Sequence, residues 1–203
     1  LNDFSIISIE KNPSGGLTSY SLDLTGIYQM KNVVTTLQAV DVLQKEGFVI
    51  TDSHVQAALQ NVKGLTGFYG RWEVIHQNPL IILEVAHNLD GIRQMLSHIN
   101  QLVFNKLHIV FGMVNDKDTN KIISMLPAQA VYYFTKAQIP RALVEDELLI
   151  KAKAFNLQGE KYAYVNDALY AAVNNADKDD LIIVCGSVFV VAEVDRTILN
   201  QSS

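Results

Sequence analysis

The chain is 203 residues long, 49% hydrophobic and 18% charged, with a formal net charge of −5. That balance is ordinary for a globular protein with enough chain for a sizeable core. An acidic chain without a Lys/Arg run has no general attraction for nucleic acid, no apolar run nears the roughly 20 residues that span a bilayer, and a single cysteine excludes an intramolecular disulfide.

Residues 1–29 alternate in the manner of strands around a turn. Phe4 to Ile9 is apolar, Asn12-Pro-Ser-Gly-Gly16 is turn chemistry, and Thr18 to Leu24 alternates again, which predicts a hairpin. Gly26-Ile-Tyr-Gln-Met-Lys-Asn32 leads into a helix. Its apolar residues Val33, Val34, Leu37, Val40 and Leu43 recur at helical spacing, and Gly47 stops it. Thr51-Asp52-Ser53 caps a second helix through Leu59 and Val62. Two strands and two helices are too little for an independent core. We therefore expect residues 1–66 to be the tail of a domain whose body lies upstream, and the chain, which opens on Leu1, to be a piece of a longer protein.

Gly64-Leu-Thr-Gly-Phe-Tyr-Gly70 is the one convincing boundary, and residues 67–203 read as a second domain. Strands are predicted at Arg71 to Ile75, Leu80 to Val85, Leu107 to Met113, Ala130 to Thr135, Tyr162 to Val165 and Leu181 to Cys185. Helices are predicted from Asp90, over Thr119 to Leu126, Ala142 to Phe155 and Ala168 to Asn174, and over Val188 to Leu199. Alternation with apolar central runs implies an α/β, Rossmann-like, mostly parallel sheet with helices on both faces. Cys185 lies in one such run and reads as a buried inert thiol, which fits cytosolic residence.

In such a sheet ligands sit where the strands end at their carboxyl side. Each predicted strand end carries polar residues. Glu84, His87 and Asn88 follow the second strand. Phe111-Gly-Met-Val-Asn-Asp-Lys-Asp118 places Lys117 between two acids after the third. Arg141 follows the fourth in Ile139-Pro-Arg-Ala142, and Gly186-Ser187 follows the last. Backbone N–H groups at a helix start, with Lys117, Arg141, Arg71 and Ser187 around them, suit carboxylates or phosphates.

Each also has a plain reading. His87 could be a loop histidine, Lys117 a solvated cation, Asp116 or Asp118 a helix cap, Glu84 a polar strand end and Gly186-Ser187 a tight turn with its cap. His54, His76, His98 and His108 have no partners at metal-ligand spacing and read as structural, and Met95, Met113 and Met125 as core. No P-loop, Gly-x-Gly-x-x-Gly turn, Gly-x-Ser-x-Gly elbow or Cys-x-x-Cys pair occurs. The visible chemistry binds and orients.

Taken together the motifs resemble the C-terminal part of folylpolyglutamate synthase/dihydrofolate synthase, within the Mur ligase superfamily. Gly26-Ile-Tyr-Gln-Met-Lys-Asn32 is similar to that family's Gly-x-(His/Tyr)-Gln-x-x-Asn, and Gly70-Arg71 to its Pro-Gly-Arg linker. Leu83-Glu-Val-Ala-His-Asn88 resembles Asp-Gly-Ala-His-Asn. Asp116-Lys-Asp118, Pro140-Arg-Ala142 and Gly186-Ser-Val-Phe189 resemble Asp-Lys-Asp, Pro-Arg-Ala and Gly-Ser-(Leu/Val)-Tyr.

The resemblance implies the Mur ligase C-terminal fold, preceded by the tail of the central ATPase domain. It implies an ATP-dependent ligase that adds L-glutamate to folate, or to dihydropteroate, through an acyl phosphate. Asn32, Arg71 and Glu84 would contact ATP. His87 and Lys117 would be catalytic, and Ser187, Asn88 and Arg141 would bind substrate. Mg²⁺ ligands are expected in the protein's own N-terminal ATPase domain, the implied partner, and no metal ligand in this chain. The chain departs from the pattern at Glu84 and Val85, which replace Asp and Gly, and at Tyr69 and Phe189, which replace Pro and Tyr. A Mur-type ligase of peptidoglycan precursors and a non-catalytic, anion-binding Rossmann-like module are the alternatives.

Overall fold

The computed structural model describes residues 5–10, 17–115 and 118–197. The chain divides into two compact units, Leu1–Arg71 and Trp72–Ser203.

In the first unit β1 (Ser5–Glu10) pairs antiparallel with β2 (Leu17–Leu22), Ser5 opposite Leu22. The predicted turn at Asn12–Gly16 lies outside the described residues. Three helices follow, α1 (Gln29–Lys45), α2 (Asp52–Gln60) and the short α3 (Val62–Thr66). The N-terminus of α2 carries a capping box in which His54 stands where Glu is usual: Thr51 accepts from His54 N–H, and His54 Nδ1 accepts from Thr51 N–H. A small core forms from Ile7, Tyr20, Leu22, Val33, Leu37, Val55 and Leu59.

The second unit is built on a six-stranded sheet of order β3-β4-β8-β5-β6-β7. Its strands are β3 (Glu73–Gln77), β4 (Leu80–Glu84), β5 (Leu107–Phe111), β6 (Val131–Phe134), β7 (Gln158–Lys161) and β8 (Leu181–Cys185). Only β3 runs antiparallel; β4, β8, β5, β6 and β7 are parallel. The helices are α4 (Leu89–Ile99), α5 (Thr119–Ile123), α6 (Glu145–Ala154), α7 (Val165–Asn175) and α8 (Val188–Ala192).

Side chains alternate across a strand, so the unbroken apolar runs feed two cores. Ile82, Ile109, Phe111, Ile183 and Cys185 pack with Ile92 and Met95 of α4, Ile122 and Ile123 of α5 and Leu148 of α6. Ile81, Leu83, Val110, Ile182 and Val184 pack on the other face with Val165, Ala168 and Leu169 of α7 and Val190 and Val191 of α8. Right-handed crossovers dictate this division. The chain moves outward along the sheet through α4, α5 and α6, then returns through α7 to insert β8 between β4 and β5.

Two predicted elements are corrected. The strand expected at Tyr162 to Val165 is β7 at Gln158–Lys161, and Val165 already opens α7. As an edge strand β7 pairs on one side only and is largely exposed, so it carries no apolar signature. Gly159 is its one mark, since a Cβ there would lie 2.1 Å from Tyr132 O. The last helix was expected to reach Leu199 but ends at Ala192. Beyond it Arg196 makes a two-point pair with Glu73, Nε to Oε1 at 2.8 Å and Nη2 to Oε2 at 3.0 Å. That clamp holds the chain against β3.

Candidate functional site

The helices that follow neighbouring strands leave toward opposite faces around β8: α4 after β4 and α5 after β5 join one core, α8 after β8 the other. Backbone therefore diverges on both sides of β8 and leaves a crevice at the strand carboxyl ends, the topological switch point of an open α/β sheet. The order β4-β8-β5-β6 fixes which loops line it. They are His87-Asn88, Gly186-Ser187, Gly112 to Asn115 and Lys136 to Ala142.

At the centre, Gly186 turns at φ +105° and Ser187 caps α8, its Oγ accepting from Phe189 N–H at 3.2 Å. Ser187 is buried, so its first task is the cap. Phe189 follows in α8, and the Arg141 guanidinium lies over its ring, 4.8 Å from the centroid. Residues far apart in sequence thus meet on the rim. The loops after β5 and β6 are joined as well: Val114 bridges Ala142, Leu143 N–H donates to Met113 O and Asn115 N–H to Arg141 O.

On the β4 side His87 is exposed and Asn88 caps α4, its Oδ1 accepting from Gly91 N–H at 2.8 Å. Glu84 is 2% exposed, and its Oε2 accepts from Trp72 N–H at 2.9 Å. Asn32 and Arg71 belong to the first unit. Asn32 is exposed and donates to Gln29 Oε1 at 2.7 Å, and the half-buried Arg71 guanidinium lies 5.3 Å from the Phe68 ring centroid. Lys117 and Asp116 lie outside the described residues. Asp118 stands at the start of α5 without a side-chain cap bond and pairs with Lys121 at 3.0 Å. Among the described residues no group of three or more His, Cys, Asp or Glu is placed to hold a metal ion.

Sequence reasoning missed three contributors. Lys136, two residues past β6, pairs with Glu145 at 3.0 Å and ties the strand end to α6. It lies in the same strand-to-helix connection as Arg141, so it was readable. Phe189 was noted only as a departure, and its platform role needs the fold. Trp72 stacks on His98, centroids 3.6 Å apart and planes 12° from parallel.

Burial under that stack pushes the His98 imidazole down to about 4. The folded state holds His98 neutral where the unfolded chain protonates it, near its ordinary 6.5. Stability is thus full above pH 6.5 and falls as pH drops toward 4, by on the order of 2 kcal/mol after allowance for solvent screening. Urea unfolding at pH 7, 5.5 and 4.5 should show this slope, and His98→Phe should flatten it. Above pH 9 burial holds the Cys185 thiol and the Tyr132 phenol up, so stability declines again on the alkaline side.

The family model of the Mur ligase glutamate ligase domain matches residues 70–188, which span this crevice. The chain belongs to the Mur ligase family. Over 179 residues it is 30% identical to the Haloferax volcanii protein named "Probable bifunctional folylpolyglutamate synthase/dihydropteroate synthase", covering 87% of this chain and 20% of that protein. Against the folylpolyglutamate synthase of Lacticaseibacillus casei it is 26% identical, covering 95% of this chain and 44% of that one. A solved bifunctional folylpolyglutamate synthase/dihydrofolate synthase with Mn, AMPPNP and L-glutamate bound superposes with a TM-score of 0.63 at 28% identity, covering 76% of this chain and 36% of that one. The motif resemblance to this branch of the Mur ligases thus agrees with the relatives, and the mostly parallel α/β sheet with theirs. The chain spans less than half the length of each of these proteins.

Proposed function

We propose that this chain is the C-terminal part of an ATP-dependent ligase that adds L-glutamate to a folate-type carboxylate, as a folylpolyglutamate synthase or dihydrofolate synthase. The observation that carries the reading is the match to the glutamate ligase domain over the residues that hold Glu84, His87, Lys117, Arg141 and Ser187. Residues 1–66 are then the end of the central ATPase domain. The relative solved with AMPPNP, Mn and L-glutamate shows the ligand set we extend to this protein. We assign the magnesium ligands and the P-loop to the segment upstream.

The reaction has two steps. The acceptor carboxylate attacks the γ-phosphate of ATP, giving an acyl phosphate and ADP. The glutamate amine then attacks the acyl carbon, the C–O bond to phosphate breaks, and an amide, phosphate and a proton result. Both steps bring anions together, so the chain's work is positioning and charge neutralisation. Arg141 is suited to a glutamate carboxylate: its guanidinium is held over the Phe189 ring, and its planar fork of N–H groups matches a carboxylate in a two-point contact. His87, exposed after β4 on the same edge of the sheet, is assigned the proton released by the attacking amine. Lys117 would neutralise the acyl phosphate, Ser187 holds the turn between them, and Asn88 fixes the start of α4. Asn32 and Arg71 are assigned to the adenine and phosphates of ATP.

The test is ADP release by the full-length gene product with ATP, Mg²⁺, glutamate and either dihydropteroate or a reduced folate. Turnover should require glutamate and a pterin acceptor, fall about a hundredfold or more in Lys117→Ala, and be absent from the 203-residue chain alone. A folded full-length protein silent with every acceptor would sink the reading. Turnover with a muramyl-peptide acceptor would move it to the peptidoglycan branch.

The Arg141–Phe189 contact gives a second prediction. Phe189→Leu should raise the KM for glutamate about three- to tenfold, the worth of a lost cation–π contact, and leave the KM for ATP unchanged. Phe189→Tyr should restore it. Arg141→Lys should not, because an ammonium cannot make the planar two-point contact.

A further inference from the structure

Trp72 adopts φ +52°, a left-handed conformation that a bulky residue rarely takes. Such a backbone costs about 1–3 kcal/mol and persists only where the surroundings over-determine it. Here they do. Trp72 is 5% exposed and belongs to the core packed against α4 and α5, its indole is stacked on His98, and its backbone N–H is held by Glu84. Glu84 ends β4, opposite the buried Cys185 of β8. A charged hydrogen bond shielded from water is among the stronger single contacts available to a backbone N–H.

We infer that Glu84 is a positioning residue: it anchors Trp72, the first residue of the second unit, and does not itself touch the nucleotide. The anchor explains the residue type. Aspartate, the usual residue in the motif that this stretch resembles, is one C–C bond shorter, about 1.5 Å, and its carboxylate would fall out of hydrogen-bonding reach of Trp72 N–H. The residues before the anchor are permissive. Gly67 and Gly70 take φ +64° and +77°, conformations open to glycine. Arg71, bonded to Trp72, leaves from a fixed point. The consequence for ATP rests on the ligase reading above; the anchor itself does not.

Trp72 is the chain's only tryptophan, so its fluorescence reports the anchor without labelling. In the 203-residue chain, Glu84→Asp and Glu84→Ala should red-shift the emission, increase acrylamide quenching and speed protease cleavage between Gly64 and Arg71. Glu84→Gln should stay near the parent, since its amide oxygen can accept the same N–H. In the full-length protein, Glu84→Asp should raise the KM for ATP and for 2′-deoxy-ATP by the same factor. Wild-type emission and quenching in Glu84→Asp, or a loss of preference between the two nucleotides, would overturn the inference. If the full-length protein does not turn over, the ligase reading fails while fluorescence and proteolysis still decide the anchor. If Glu84→Ala does not fold, Glu84→Asp against Glu84→Gln makes the same comparison.

Discussion

Replacing Gly186 by alanine should cost the second unit about 3–5 kcal/mol. Two separate effects add. At φ +105° the backbone is one that L side chains rarely adopt, and the new Cβ would lie 2.3 Å from Gly112 O and 2.8 Å from the Phe111 ring. The neighbour cannot yield cheaply, because Gly112 is itself pressed against the next strand end: a Cβ there would sit 2.4 Å from Thr135 O. The carboxyl ends of β8, β5 and β6 are thus stacked backbone on backbone, and a methyl group at one is felt at all three. Gly112→Ala should show the crowding alone, since its φ is unexceptional. Gly67→Ala should show only the left-handed strain, about 1 kcal/mol, because nothing lies within 4 Å of its Cβ. Urea midpoints for the three variants, at unchanged m-value, give the comparison. A Gly186→Ala protein within 1 kcal/mol of the parent would show that the turn is slack. The site would suffer too, as Ser187 and Phe189 follow this turn and Arg141 rests on the latter.

That packing shows what kind of information the sequence carried. Leu80–Glu84, Leu107–Phe111 and Leu181–Cys185 were legible because a strand buried on both faces is apolar at nearly every position, Glu84 and His108 being the buried polar exceptions. The polar residues at their carboxyl ends were legible by position, since a parallel sheet has one edge where ligands sit. β7 was misplaced because an exposed edge strand need not be apolar, and α8 was overextended because apolar residues past Ala192 continue the helical spacing. The remainder depends on pairs that only the fold assembles. Arg141 with Phe189, Glu84 with Trp72, and Arg196 with Glu73 each join residues from different elements, and nothing local to either partner announces the other. Glu84 shows the limit well. Its place in the motif was readable, but its orientation toward a backbone N–H was not.

The opposite edge of the sheet yields the second large effect. Asp180→Ala should destabilise the protein by about 3–5 kcal/mol while leaving substrate KM values unchanged. Asp180 precedes β8 and accepts from Lys106 N–H at 3.0 Å, Asp177 N–H at 2.9 Å and His108 Nε2 at 3.1 Å. His108 Nδ1 lies 3.0 Å from the Tyr133 hydroxyl, which also accepts from Asn175 Nδ2 at 3.2 Å. These contacts are met with the His108 hydrogen on Nε2 donating to the carboxylate and the Tyr133 hydroxyl donating to Nδ1. His108 and Asp180 are buried, so alanine at 180 takes the acceptor from three donors, of which His108 Nε2 is shut off from water. Asparagine would leave its own NH₂ facing donors and should also be costly. Burial pushes the Asp180 carboxyl up, but the Asp177 N–H, His108 and the Lys106 N–H outweigh it and hold it below the usual 3.8. Its contribution is therefore present above pH 3.8 and lost as pH falls below it, so the acid limb of the stability profile should flatten in Asp180→Ala. A variant that kept its stability but lost glutamate binding would contradict the anchoring role of Asp180.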